Sequence, residues 1–373
     1  MLQRVWYTAA AWMVWVAPIG AAWAQSPALD DPLATAAPSA ATADGIAAAG
    51  LPGPLTMSWC GDSDAACAPG GCGLCGGSLY GSFDFLLARP HFSEAIAFAE
   101  VNPAGPRVDG RELQFGYDPS YRLRVGSWMS CGAAGFRATY WHFNGQTDAN
   151  GVPAAPGFLI DPFGNVALPG TRIATEAEVR MNVYDLEFVS THDWDGGCTT
   201  LAWTAGVRIA DVDQSYDSLI AVGGLPITFG DFSADFIGAG PRIGLEAAHR
   251  RGPCSPLSLF ASVHGSLLLG EYDVNSSNRV FLPGVGTAPE GAQHESLTRT
   301  IPVVEMELGA SWQAAERWTI AAGWMFQAWF DLGTSGGRFE NHPLFGTTPL
   351  FTGADDANIM SFDGFFLRAE MGF

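Results

Sequence analysis

The sequence predicts an all-β fold: a single-chain antiparallel transmembrane β-barrel of about ten strands, with eight to twelve fitting the same pattern. Three observations predict it. The C-terminal stretch has strict two-residue periodicity, nine upstream segments share it, and the connections alternate between short and long. In the C-terminal stretch Phe365, Leu367, Ala369 and Met371 are apolar, while the interleaved positions are Gly364, Phe366, Arg368, Glu370 and Gly372. A strand sends successive side chains to opposite faces, so one face suits hydrocarbon and the other carries charge. A helix would mix the two sets. The bland alternative is an edge strand of a soluble sandwich, and the rest of the chain weighs against it.

Residues 1–24 read as a secretory signal peptide. Arg4 supplies a positive start, Val5 to Ala17 is apolar, and Ala22-Trp23-Ala24 is a small-x-small cleavage site. A membrane-anchoring helix is the competing reading, disfavoured by Pro18, Gly20 and the shortness of the run. Residues 25–58 are Ala/Pro-rich and nearly uncharged, which suits a flexible periplasmic linker. Residues 59–76 carry Cys60, Cys67, Cys72 and Cys75. Cys72 and Cys75 have metal-knuckle spacing, but a zinc ribbon needs two knuckles around a core. Disulfide chemistry in an oxidising periplasm is the expectation, and no metal or cofactor is expected anywhere in the chain.

Residues 77–373 form the expected barrel. Alternating segments run over 79–89, 117–129, 135–143, 178–191, 200–211, 232–248, 257–270, 301–312, 317–331 and 361–373. Each is long enough to cross a bilayer obliquely, which takes roughly 9–11 residues. Short connections fall at 130–132, 193–197, 250–256 and 314–316, and long ones at 90–116, 144–177, 212–230, 271–300 and 332–360. Outer-membrane barrels sort their connections this way, with short periplasmic turns and long external loops. Beyond the leader, no apolar run is long enough to cross a membrane as a helix.

Composition narrows the function. Only 15% of residues are charged, against roughly 25% in an average soluble domain. The net charge is −20, and all 18 basic residues are Arg. An acidic chain without basic clusters is a poor partner for nucleic acid.

The blocks Phe236-Ile237-Gly238-Ala239-Gly240-Pro241-Arg242-Ile243-Gly244-Leu245-Glu246, Leu259-Phe260-Ala261 and Ser266-Leu267-Leu268-Leu269-Gly270 resemble the central block of the Legionella-type major outer membrane protein family. Pro302 to Gly309 with Trp312, and Ala322-Gly323-Trp324 with Trp329, are similar to its next block, and Gly364-Phe365-Phe366-Leu367-Arg368 to its last. Related barrels occur in planctomycete-like bacteria. The resemblance spans about 79–373; the linker and the Cys cluster depart from it. It implies a pore-forming barrel in the outer membrane. Phe373 also resembles the terminal residue that the barrel-insertion machinery reads, so that machinery and outer-membrane lipid are the expected partners.

With the apolar register assigned to lipid, the lumen receives Arg122, Arg124, Arg137, Arg208, Arg242 and Arg368. It also receives Asp185, Glu187, Glu246, Glu305, Glu307 and Glu370. The signs balance, so the acidic excess is expected in loops and turns. A ten-stranded barrel is narrow, and unpaired buried charge is costly, so these rows are expected to pair across the lumen. Two readings stay open: a charged constriction of a porin-like pore for small solutes, or a salt-bridged interior with no open path. The second fits a non-conducting surface or envelope-scaffold protein.

Enzymatic activity is not expected. Ser262, His264 and Ser266 share a strand face, but positions two apart are about 7 Å apart, too far for a direct Ser–His hydrogen bond. Cys131, Cys198 and Cys254 sit at the short turns, on the same expected rim as the N-terminal cysteines. Disulfides from Cys60, Cys67, Cys72 and Cys75 to that rim are therefore expected; the competing reading is that some or all seven stay reduced, or that the N-terminal four pair only among themselves. The odd seventh thiol is left to stay free or join another envelope protein.

Overall fold

A computed structural model describes residues 78–93, 96–102, 107–129, 134–194, 198–252, 255–282, 286–333 and 358–373. The expected signal peptide (1–24), linker (25–58) and Cys-rich segment (59–76), and with them Cys60, Cys67, Cys72, Cys75, Cys131 and Cys254, lie outside the described residues.

Ten strands close into one antiparallel barrel. They are β1 (Leu79–Phe92), β4 (Asp118–Trp128), β5 (Ala134–Gly151), β8 (Thr171–Trp194), β9 (Thr199–Val222), β10 (Leu225–Arg250), β11 (Leu257–Leu282), β12 (Gly286–Ala315), β13 (Trp318–Gly333) and β14 (Asn358–Gly372). Each strand pairs with its chain neighbour in the barrel, and β14 pairs with β1 from Tyr80↔Gly372 to Phe92↔Met360. The amide of Phe373 donates to the carbonyl of Leu79 at 2.8 Å, so the chain end completes the seam. At membrane depth closure leaves no unpaired edge among the described residues, as a strand-built membrane protein requires. The long alternating segments of the sequence correspond one to one with these ten strands.

Several strands run far beyond a bilayer, and β9 shows why. Trp203, Val207 and Ile209 face outward while Thr204 and Arg208 are buried inside. Past Ile209 the register continues but the chemistry inverts: Asp211, Asp213 and Asp217 take the outward positions, and Val212, Tyr216 and Ile220 are buried. The same inversion occurs on β10, where Asp231 and Asp235 stand above Ile237, Ile243 and Leu245 on the outer face. Thus the lower half is built for lipid outside and polar groups inside. The upper half is built for water outside and an apolar core inside.

This corrects three expectations. Segments 212–230 and 271–300 are not long loops but the upper halves of two hairpins, β9–β10 and β11–β12. The first turns over Gly223–Gly224, whose φ values of 56° and 84° suit a two-residue hairpin turn with both positions left-handed. The lipid-type pattern ends at the membrane surface while the strand continues. Much of the acidic excess consequently lies on the outer face of strand extensions rather than in loops. Segments 90–116 and 144–177 also hold strands. Here β2 (Ile96–Asn102), β3 (Arg107–Glu112), β6 (Phe158–Ile160) and β7 (Val166–Ala167) form a second sheet in the order β3-β2-β6-β7. It docks on the upper barrel: the Tyr216 hydroxyl donates to the Ala97 carbonyl at 2.6 Å, and Ser218 donates to Asp161 at 2.7 Å. Phe98, Leu159 and Phe163 join the apolar cluster that includes Phe143, Met181, Phe236, Trp329 and Phe362.

Candidate functional site

The candidate site is the lumen at membrane depth. Alternation forces it: every second residue of the lipid-crossing segments must point inward, and those positions carry the charge. All twelve residues named from the sequence line a single cavity of ≈ 70 Å³: Arg122, Arg124, Arg137, Asp185, Glu187, Arg208, Arg242, Glu246, Glu305, Glu307, Arg368 and Glu370.

Most of these groups form one alternating ladder of ion pairs. Arg208 grips Asp185 with two parallel hydrogen bonds of 2.7 and 2.8 Å, a bidentate geometry that favours guanidinium over ammonium. Its third nitrogen donates to Glu305 at 2.7 Å. Glu305 also accepts from Arg242, which donates to Glu187 at 2.8 Å. Glu187 then accepts from Arg137 at 2.9 Å, and Arg137 reaches Glu246 at 2.5 Å. The last link is His264, whose Nε2 lies 3.3 Å from Glu246. Gln327 donates to Glu305 from β13.

The second cluster gathers three guanidiniums around two carboxylates. Arg122 and Arg368 lie 2.7 and 2.8 Å from Asp84, and Arg124 lies at 3.6 Å. The same three reach Glu307 at 2.5, 3.0 and 3.2 Å. Asp84 is fully buried. It was not among the sequence candidates, although it stands in the inward register of β1 beside Ser82. Glu370 differs from its neighbours. It is buried at the register position facing Ser82, and neither Glu370 Oε1 nor Ser82 Oγ has a hydrogen-bond partner among the described residues.

Above and below, the lumen is filled. Tyr80 stacks on Trp128 at 6.1 Å toward the short-turn end. Toward the other end Trp329, Phe362, Tyr272 and Met360 are fully buried. Arg208 lies 6.0 Å from the Trp329 ring, where the charged layer meets the apolar one. The Ser262–His264–Ser266 face points into the lumen, and His264 engages Glu246 rather than either serine. Cys198, half-buried beside the start of β9, is the one cysteine among the described residues, so the expected disulfides to it lie outside them. Phe373 is exposed at the seam.

An antiparallel closed barrel with an apolar outer band, aromatic side chains at its margins and ion pairs inside defines the class: a β-barrel protein of the outer membrane. Its family model, described as the Legionella pneumophila major outer membrane protein precursor, matches residues 82–371, and the chain belongs to that family. No curated protein matches the chain. Among solved structures it is similar to the outer membrane protease OmpT from Escherichia coli, at 10% identity and a TM-score of 0.46, over 81% of this chain and 100% of that one. It is also similar to Ail, the attachment invasion locus protein of Yersinia pestis, at 11% identity and a TM-score of 0.22, over 80% and 99% of the two chains. A Pseudomonas aeruginosa FadL homologue matches at 7% identity and a TM-score of 0.23, over 80% and 90%. Likeness of this depth carries nothing about activity.

Proposed function

We propose that this protein is a narrow, porin-like pore for small solutes, closed toward the outside in the conformation described, with the ion-pair layer as its constriction. One observation carries the reading: the charged side chains at membrane depth converge around one cavity in the lumen. Buried ion pairs hold a fold together no better than apolar side chains of similar volume, and ionisable groups at membrane depth mark pathways. A barrel needing only rigidity could fill this layer as it fills the layer above. The second reading is a non-conducting envelope scaffold, favoured by the apolar packing of the upper half and by the sheet docked on it. The partners that suit either role are outer-membrane lipid, the insertion machinery at Phe373, and disulfides from the N-terminal cysteines to the rim.

Planar-bilayer recording on refolded protein tests the choice. Small discrete steps are expected. Their absence from protein shown by circular dichroism to be folded and inserted would favour the scaffold.

A further inference from the structure

The barrel wall changes above the charged layer. Pairing between β12 and β13 runs up to Val303↔Trp329 and stops there. The next residue of β12 is Pro302, which has no N–H to give to β13. On its other side β13 pairs Trp329 with Met360 and next Gly333 with Asn358. Phe330, Asp331 and Leu332 therefore stand against Ile359 alone. Within this excess Asp331 has a φ of 61°, and it is the one non-glycine residue with a left-handed backbone among the described residues. Such a conformation persists only where the surrounding structure holds it.

Two side chains hold it by backbone carbonyls. Arg299 of β12 donates from Nη1 to the Asp331 carbonyl at 2.8 Å and lies 4.8 Å from the Tyr272 ring. Gln214 of β9 donates from Nε2 to the Leu332 carbonyl at 2.8 Å. Three strands separate β9 from β13 in the wall, so this bond crosses the lumen. Leu332 is fully buried in the apolar cluster. The end of β13 thus leaves the wall and fills the lumen.

A second place for it is built into β12. The Leu308 carbonyl points at Gly323, so the even-numbered residues of β12 bond to β13. Continuing the register of Val303↔Trp329 past Pro302 sets Leu332 opposite Thr300, where no described strand lies on that side of β12. The contacts that dock the second sheet fall on other strands: Gly151 of β5, Tyr216 and Ser218 of β9, Gly230 of β10 and Asn278 of β11.

We propose that the end of β13, Phe330 to Gly333, is the gate of the outer mouth. Folded inward, it is latched by Gln214 and Arg299. Released, it straightens along β12, and the Leu332 carbonyl exchanges the Gln214 amide for the backbone N–H of Thr300. Its role as a gate rests on the pore reading; the two positions of β13 do not.

Amide hydrogen exchange and bilayer recording on the refolded full chain test it together. Gln214→Leu removes one latch, and Asp331→Val puts a β-branched residue where the left-handed φ is needed. Both should raise protection of the Thr300 amide several-fold and make channel steps several-fold more frequent than in the parent. Asp331→Gly accepts the left-handed φ without strain and should lower both. Opposite effects from two substitutions at one position separate a gate from general loosening. If Thr300 protection moves as stated and no form conducts, the pore reading falls while the two positions of β13 stand. Thr300 protection that is the same in all four proteins, or channel steps that rise equally in Asp331→Val and Asp331→Gly, would overturn the proposal.

Discussion

Glu305 and Glu307, two residues apart on β12, together hold five arginines that come from four other strands. Glu305 takes Arg208 of β9 and Arg242 of β10; Glu307 takes Arg122 and Arg124 of β4 and Arg368 of β14. One strand thereby ties both sides of the barrel across its lumen.

Glu307→Gln leaves three guanidiniums sharing Asp84. Breaking a buried ion pair by removing one partner typically costs about 3–5 kcal/mol. The variant should lose heat-resistant gel mobility at a clearly lower temperature than the parent. Glu370→Gln removes a carboxylate whose Oε1 accepts no hydrogen bond among the described residues, so it should match or exceed the parent. Equal losses from both variants would contradict the assignment of the network.

The docked sheet should open independently of the barrel. Tyr216→Phe with Ser218→Ala removes the hydrogen bonds to Ala97 and Asp161, each worth about 1 kcal/mol. Hydrogen exchange should accelerate in β2 and β6 and stay unchanged in the lower half of β9. Unaltered protection of β2 would show that these contacts do not hold the sheet.

Above the lipid band, burial raises the carboxyls of Asp213 and Asp235 above their ordinary range. Asp211 and Asp235 add to this for Asp213, and Asp273 and Asp211 for Asp235. A raised folded value means the folded state binds the proton more tightly, so charge is a penalty at neutral pH. The penalty fades as pH falls through the raised values toward the ordinary 3.8. Asp213→Asn with Asp235→Asn should therefore melt above the parent at pH 7. The gap should shrink toward pH 4 and at high salt. A gap that stays constant with pH would refute the electrostatic cause.

Cys198 lies at the rim, where its carbonyl accepts from the Arg250 amide at 2.8 Å. In purified outer membranes Cys198 should resist a thiol reagent until reduced, and peptide mapping should join it to Cys60, Cys67, Cys72 or Cys75. Labelling without prior reduction would remove the stapled rim.

The strand register was legible because lipid demands apolar side chains at every second position, and parity alone then placed Arg137, Glu246 and the rest inside. Their connectivity was not legible. Arg137 and Glu246 meet across three strand spacings, a distance set by barrel closure and stagger rather than by local sequence. Asp84 was overlooked as a lone charge between Phe83 and Phe85. The upper half was misread because Asp211, Asp213 and Asp217 continue the strand with its polarity reversed. The second sheet left still less signal: Ala97, Phe98 and Ala99 are buried in succession without alternation, and β2 finds β6 more than fifty residues away.

The most direct test of the constriction is single-channel conductance of the parent beside Glu305→Gln, in which Arg208 and Arg242 lose their shared carboxylate. Rare, small steps are expected from the parent and more frequent or larger ones from the variant, with both inserted and folded. Folded, inserted protein that stays silent in both forms would contradict the constriction.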